Sequence, residues 1–370
     1  MSKPHRVVHL SSAHPRYDVR IYIKMCRSLA EEYNVSLIIA DGLGDEVKEN
    51  VSILDVGAKD GGRLSRMTRT VKKVYKKALE LDADLYHLHD PELLPIAIRL
   101  KRRGKLVIFD AHEDLPKQLL GKPYLHPLAR WFLSKIIDRY EKWACPRLDA
   151  VIGATPIITA KFGCFCNLTA NINNYPLLNE LSCVTDDQAK VGEVAYVGGI
   201  SEIRGIKPLV KAVGRTKGIR LNLVGSFGSK NLEDEVKSFQ EFDAVNDLGF
   251  KSREEVAEIL ARSRAGIVTF LASPNHVDAQ PNKMFEYMSA SLPIVTSNFP
   301  LWREIVEGND CGICVDPENV DELSGAIQYL NDHPCEAERL GENGRRAVVE
   351  KYNWEQEEKK LFGLYQELLS

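Results

Sequence analysis

The feature that most restricts this chain is a rhythm. Apolar runs of strand length alternate with amphipathic helical stretches almost from end to end, and one polar stretch interrupts them. "RVVHLSS", "VSLIIAD", "DLYHLHD", "KLVIFDAHE" and "LDAVIGAT" read as buried strands, with helical patterns such as Val19–Tyr33 and Pro91–Arg103 between them. The rhythm loosens through "LLNELSCVTDDQAKVG", residues 177–192, and restarts with "EVAYVGGI", "IRLNLVGSF", "AGIVTFLAS", "LPIVTSN" and "GICVDP". Alternation on both sides of one polar linker predicts two doubly wound α/β domains, over residues 1–176 and 193–352. Such sheets bind ligands at the carboxyl ends of their strands, so the expected site is a cleft between the two domains.

Composition supports this outline. A chain of 370 residues exceeds one ordinary core, and 44% hydrophobic with 27% charged residues describes a soluble globular protein. No apolar run reaches the roughly 18 residues of a membrane span. "MSKPHRVVHLSS" leads straight into a strand, so no signal peptide is expected. Eight cysteines then suit the reduced thiols of a cytoplasm. Cys311-x-x-Cys314 and Cys164-x-Cys166 have the spacing of zinc or redox pairs. "CGICVDP", however, reads as a turn and a buried strand, which favours core thiols.

Charge is unevenly spread. Residues 63–77, "RLSRMTRTVKKVYKK", hold seven Lys/Arg and no acid, with Leu64, Met67, Val71, Val74, Tyr75 and Ala78 on one helical face. A second basic cluster is "RLKRRGK", residues 99–105. Such a helix suits an anionic membrane surface, and equally an ordinary helix on its sheet with a solvated basic face. No recognition module accompanies the charge, so no nucleic acid partner is expected.

The most informative local stretch is "HVDAQPNKMFEYMSASLPIV", residues 276–295. Pro281 favours a first helical position, predicting a helix over about 281–290 whose free N–H groups form an anion site. Lys283 in the first turn opposes its own helix dipole, which makes sense if an anion sits between it and the amides. Glu286, one turn on, can accept hydrogen bonds from a hydroxyl pair such as a ribose. Solvated surface charges explain the same residues when the stretch is taken alone.

With its neighbours, this stretch resembles a family. "PNKMFEYMSASLPIV" is similar to the acid–seven residues–acid signature of family 4 retaining glycosyltransferases, which have the GT-B fold of two Rossmann-like domains. "YVGGISEIRGIKPLVKAV", "LNLVGSF", "NDLGFKSREEVAEILARS" and "GENGRRAVVEKYNWEQEEKKLFGLYQELL" extend the resemblance across the second half, and the first half is covered more loosely. The resemblance implies that Glu286 holds the donor ribose and that Asp278 contacts the donor sugar. Asp278 stands where the family normally has Glu, one methylene longer. The family also sets a Gly-Arg pair and a Lys-Gly pair beside the donor diphosphate. Here Gly198-Gly199 precedes Arg204-Gly205, so Arg204 supplies one cation, and Lys283 is inferred to replace the one missing at Gly199. Asn282 belongs to the same helix start, and Leu248, Gly249, Phe250 and Lys251 are expected along the base. Ser291 stands where the family has glycine after the helix; if left-handed there, it costs on the order of 1 kcal/mol. The resemblance also makes 353–370 a helix that returns to the first domain.

In the first half, "DLYHLHDPELLP" and "VIFDAHEDLP" put His87, His89, Asp90, Asp110, His112 and Glu113 at the ends of two strands. The resemblance makes His112 the active-site histidine facing the transferred sugar. A divalent metal held by the H-x-H pair, Asp110 and His112 is the rival reading. His87 is expected to be a core histidine. "SSAHPRYDVRIYIKMCRSLA" stands where relatives have a glycine-rich loop, so His14, Arg16, Asp18 and Arg20 are candidates for acceptor or phosphate contact, with His89 and Glu113 also on the acceptor side.

The expected reaction is retaining transfer of a sugar from a nucleotide diphosphate, UDP by preference, to a hydroxyl of a glycan or lipid-linked acceptor. Bacterial surface-polysaccharide assembly is the expected setting, in the cytoplasm or at the inner face of the membrane. No cofactor and no metal is expected, since the protein supplies the positive charge. A sugar-nucleotide epimerase of the same fold and a His/Asp metal-dependent hydrolase are the alternatives.

Overall fold

The computed structural model describes residues 4–59, 61–62, 65–121, 126–178 and 192–370. Most of the linker expected over 177–192, and Arg63 and Leu64 of the basic stretch, lie outside the described residues. The chain divides into one unit of Met1–Asn174 with Glu355–Ser370 and a second of Tyr175–Trp354.

In the first unit the strands are β1 (Arg6–Leu10), β2 (Asn34–Ile39), β3 (Glu46–Lys48), β4 (Val51–Asp55), β5 (Leu85–Leu88), β6 (Leu106–Ala111), β7 (Ala150–Gly153) and β8 (Thr169–Asn171). Their order is β3-β4-β2-β1-β5-β6-β7-β8, parallel except for the β3–β4 pair. In the second unit β9 (Glu193–Val197), β10 (Arg220–Val224), β11 (Val245–Gly249), β12 (Ala265–Val268), β13 (Ile294–Ser297) and β14 (Gly312–Val315) form an all-parallel sheet in the order β11-β10-β9-β12-β13-β14. That is the doubly wound order, in which the chain starts centrally, winds to one edge, then returns to wind to the other. The reversal falls between β1 and β5 in the first sheet and between β9 and β12 in the second. Strand ends diverge there, leaving a crevice beyond the carboxyl ends.

Burial follows from the composition of these strands. Central parallel strands are covered on both faces, so they need continuous apolar runs. In the second sheet Ala195, Val268 and Ile294 meet Met284, Tyr287, Met288 and Trp302 on one side. Val194, Tyr196, Leu221, Leu223 and Val295 meet Leu209, Val213, Leu323 and Ile327 on the other. The first sheet sets Val8, Leu10, Leu88, Val107 and Phe109 against Val74, Ala78, Ile96 and Leu100.

The basic stretch is thereby reinterpreted. Val71, Val74 and Ala78 are buried in this core, as the alternative of an ordinary helix packed on its sheet expects, while Met67 stays 47% exposed. Arg66 pairs with Glu92 at 2.7 Å, Lys101 with Asp149 at 2.7 Å and Lys105 with Asp82 at 2.7 Å. Cys311 is buried and Cys314 half-buried, both free thiols pushed up to about 12 by burial. Among the described residues, no helix is long and apolar enough to cross a membrane.

Candidate functional site

In the second unit the site is built at the reversal point. The helix Asn282–Ser289 packs Met284, Phe285, Tyr287 and Met288 into the core, and Tyr287 Oη accepts from Val197 N at 2.8 Å at the end of β9. Pro281 precedes the helix with φ −68 and ψ 128, still extended, so the first helical residue is Asn282 rather than Pro281. Proline lacks the N–H that a first helical residue leaves free, but either position tolerates it. Asn282 is exposed, and Glu286 is half-buried on the same helix.

Lys283 is turned inward. Its side chain is 8% exposed, and its Nζ lies 3.5 Å from the centroid of the Tyr196 ring and 5.4 Å from that of Phe270. The Nζ has no hydrogen-bond partner. Burial, with the Arg204 charge close by, pushes the ammonium well below the usual lysine range, against a smaller upward pull from Glu286. Arg204 stacks on the same Phe270 ring at 5.6 Å and donates from Nη1 to the Gly199 carbonyl at 3.0 Å. A Cβ at residue 199 would lie 2.7 Å from that Nη1, so the position that lacks the expected cation is the one over which Arg204 lies. Gly205, at φ +73, brings the loop against β12 so closely that a Cβ would overlap the Thr269 carbonyl. Two cations thus converge at a crevice, one desolvated and unsatisfied. Aromatic faces offset part of that cost, and a hydrogen-bonding anion would offset more.

The remaining predicted residues of this unit surround that point unequally. Glu286 Oε1 accepts from Arg253 Nη1 at 3.0 Å, which fixes the carboxylate and leaves its other oxygen for a further donor. Asp278 lies half-buried in the loop before the helix, next to Ala279, whose carbonyl accepts from Trp302 Nε1 at 2.6 Å. Phe250 follows β11 with its ring 85% exposed, and Lys251 pairs with Glu255 at 2.8 Å. Ser291 is left-handed at φ 55, the strained conformation that its position after the helix made conditional.

In the first unit the histidines gather at the other reversal point. His9 and His87 are register partners on β1 and β5, and His89 follows on the same face as His87. One direction of donation runs through the whole series and leaves only the buried His87 Nε2 without a partner among the described residues of the series. His87 Nδ1–H donates to Tyr365 Oη at 2.8 Å, and Tyr365 donates to His9 Nε2 at 3.3 Å. His9 Nδ1–H then donates to His89 Nε2 at 2.8 Å, and His89 Nδ1–H to Asp110 Oδ2 at 3.2 Å. His112 Nε2–H reaches the same oxygen at 2.9 Å from the half-buried edge. These tautomers are assigned from the network.

Asp110 is fully buried. Burial alone would raise its pKa, but Arg20, His112 and His89 outweigh it and hold the carboxyl well below the usual range. Burial keeps His89 neutral, pushed down to about 4, and lowers His9 and His87 further in the same direction. Two groupings, His9/His87/His89 and His89/Asp110/His112, are compact enough for a metal ion. His9, His89, Asp110 and His112 already engage one another through these atoms, while the buried His87 Nε2 has no partner among the described residues. A dication at Asp110 would face the Arg20 guanidinium, so the His89/Asp110/His112 set fits a metal poorly.

The acceptor-side candidates are placed unequally. Arg20 is buried and bidentate on Asp110, and Arg16 is buried in pairs with Asp41 at 2.9 Å and Glu46 at 3.0 Å, so both are fastened to the fold. His89, like His87, is buried and hydrogen-bonded within the unit. Asp18 caps the helix beginning at Val19, accepting from Arg20 N and Ile21 N, each at 2.9 Å. His14 remains beside the candidate site. Its ring lies 4.9 Å from that of His112, and Nδ1 meets Asp18 at 3.1 Å. Glu113 is exposed and accepts from Gln118. His9 and Tyr365 were not anticipated. A histidine inside the apolar run "RVVHLSS" was a signal for the first, whereas nothing local to the closing helix marked the second.

Fold and site together define a two-domain α/β protein with two cations brought together around Phe270 in its second domain. Comparison narrows this. Residues 19–161 match the family model "Glycosyltransferase Family 4", and residues 186–347 match "Glycosyl transferases group 1". The chain belongs to the GT-B glycosyltransferases of the family 4 type. Among curated proteins it is 28% identical over 182 residues to an MMP alpha-(1->4)-mannosyltransferase of Mycolicibacterium hassiacum, covering 48% of this chain and 43% of that protein. It is 25% identical over 185 residues to Spore coat protein SA of Bacillus subtilis, covering 47% and 48%. The matches therefore span less than half the length of these curated relatives. Sucrose-phosphate synthase from Thermosynechococcus elongatus superposes with a TM-score of 0.81 at 20% identity, covering 99% of each chain. Anabaena HepE in complex with UDP and glucose superposes at 0.75 and 15% identity, covering 98% of this chain and 100% of that one. At these identities the superpositions speak for the fold.

Proposed function

We propose that the protein is a retaining glycosyltransferase that moves a sugar from a nucleotide diphosphate, UDP by preference, to a hydroxyl of a glycan or lipid-linked acceptor. The observation that carries this reading is Lys283, a buried ammonium without a hydrogen-bond partner, set beside Arg204 where the strand order reverses. A diphosphate supplies the acceptors that this pair lacks. In this reading Glu286 receives the ribose hydroxyls, Asn282 and the helix amides face the phosphates, and Asp278 and His112 serve the sugar. Residues 248–251 line the base.

Transfer breaks the bond between the sugar's anomeric carbon and the phosphate oxygen and forms one to the acceptor oxygen on the same face. The acceptor proton passes to the leaving phosphate. Negative charge grows on that phosphate, so fixed cations and helix amides stabilise the transition state more than the ground state. No metal is needed for that role. Polysaccharide assembly on a membrane lipid is the proposed setting. The solved relative bound to UDP and glucose supports the choice of UDP.

The test is acceptor-dependent release of nucleotide from a panel of donors, run with and without EDTA. Release that requires acceptor and survives EDTA supports the reading. Donor conversion without acceptor points to an epimerase. Loss of activity restored by zinc or manganese points to the histidine cluster as a metal site.

A further inference from the structure

The helix Pro127–Ala144 is amphipathic in an unusual sense. Its inward stripe, Ser134, Glu141 and Ala144, is narrow and small, and Glu141 is neutralised there by Lys161 at 2.7 Å. The opposite face carries the large apolar groups. Leu128 is 65% exposed, Trp131 51%, Phe132 57% and Ile136 59%, with Trp143 near them at 44%. Interspersed on that face are Lys135, Arg139 and Lys142, all exposed. Of the helix's two acids, Glu141 lies beneath it, and Asp138, half-buried at the flank, pairs with Lys142 at 2.8 Å, so Lys135 and Arg139 carry the outward charge. Apolar patches of this kind on a folded domain mark a contact surface.

We infer that this face docks the protein onto an anionic lipid bilayer. Tryptophan and phenylalanine with leucine and isoleucine, framed by lysine and arginine, are the residues of a helix lying in the plane of a membrane interface. Charge selects the occupant. A second copy of the chain packed by two-fold symmetry on the same face would set Lys135 and Arg139 against themselves, whereas an anionic headgroup layer complements them. This surface is preferred to the 63–77 helix, whose Val71, Val74 and Ala78 are buried in its own core. The inference extends the lipid-linked acceptor reading, but its test uses neither donor nor acceptor, so each fails separately.

The sequence supplies a built-in probe. Of the four tryptophans, Trp302 and Trp354 are buried, while Trp131 and Trp143 both lie on this helix. The full chain is mixed with phosphatidylcholine vesicles, and with vesicles in which a third of the lipid is phosphatidylglycerol, each with and without brominated acyl chains. Co-sedimentation with anionic vesicles only, with tryptophan quenching by the brominated lipid, is expected. Removing two outward cations in Lys135→Ala/Arg139→Ala weakens binding about thirty-fold, at about five-fold per cation. Trp131→Glu/Ile136→Glu abolishes it, while UDP affinity and the circular dichroism spectrum stay unchanged because no inward residue is touched. Three results overturn the inference: no binding to anionic vesicles, equal binding by the variants, or a dimer in sedimentation that Trp131→Glu/Ile136→Glu converts to monomer.

Discussion

Arg20 and Asp110 form a two-point ion pair sealed from solvent, with Nε to Oδ2 at 2.9 Å and Nη2 to Oδ1 at 2.7 Å. The pair joins the first helix to β6, and Asp110 in turn receives His89 and His112. Arg20→Ala leaves a buried carboxylate uncompensated, so a loss of about 3–5 kcal/mol is expected in urea unfolding. Replacing both residues in Arg20→Leu/Asp110→Leu returns much of that stability while freeing His112 from its acceptor. A loss below about 1 kcal/mol for Arg20→Ala would show that the pair does not hold these elements together.

Lys283 predicts opposite signs for stability and binding. In the free protein its ammonium is destabilised by burial and by Arg204, so Lys283→Met leaves stability unchanged or raises it. The same change removes a charge-assisted contact to the diphosphate and weakens UDP binding about 30- to 100-fold. Binding also returns the lysine pKa upward. Between the free and bound values a proton is therefore taken up, and calorimetry in buffers of different ionisation enthalpy reads that uptake. Equal heats in all buffers would remove Lys283 from the phosphate site.

The buried histidines set an acid limit on stability. His89 is held at about 4 by burial, and His9 and His87 are lowered by burial with neighbouring histidines. Their unfolded value is near 6.5. Below that pH the unfolded chain binds protons that the folded chain refuses, so stability is full above about pH 6.5 and falls towards pH 4. Each histidine contributes up to about 1.4 kcal/mol per pH unit in that window. Thermal melts across this range are expected to drop steeply, and His87→Gln to drop less steeply.

Ser291 is left-handed at φ 55 without the freedom of glycine. Ser291→Gly is expected to stabilise the protein by about 1 kcal/mol, as a higher melting temperature with unchanged UDP affinity. An unchanged or lowered melting temperature would mean that contacts of the serine side chain outweigh the backbone strain.

Which parts of the fold were legible follows from where each strand sits. The central strands were plain in the sequence, because burial on both faces demands continuous apolar runs such as "KLVIFDA" and "VSLII". The missed strands are "EVK", "VSILD", "TAN" and "VNDLG". Three of these, β3, β8 and β11, are sheet edges, where one side meets water and the apolar signal fades. β4 lies next to such an edge.

Sequence by itself determined the doubly wound class, the helix after residue 281, and the pairing of Arg204 with Lys283 as candidate cations. Backbone periodicity and residue type carry the class and the helix, while the pairing of the two cations came from the resemblance to the family. Only the tertiary structure decided that Lys283 lies over Tyr196 and Phe270, that Arg20 belongs to Asp110, and that Tyr365 reaches His9 and His87. The Arg20 and Tyr365 contacts join residues 90 to 356 positions apart, and the placement of Lys283 depends on which side of its helix faces the sheet. Burial, which shifts Lys283 and the histidines His9, His87 and His89, is a property of the packed sheet and cannot be assigned one residue at a time.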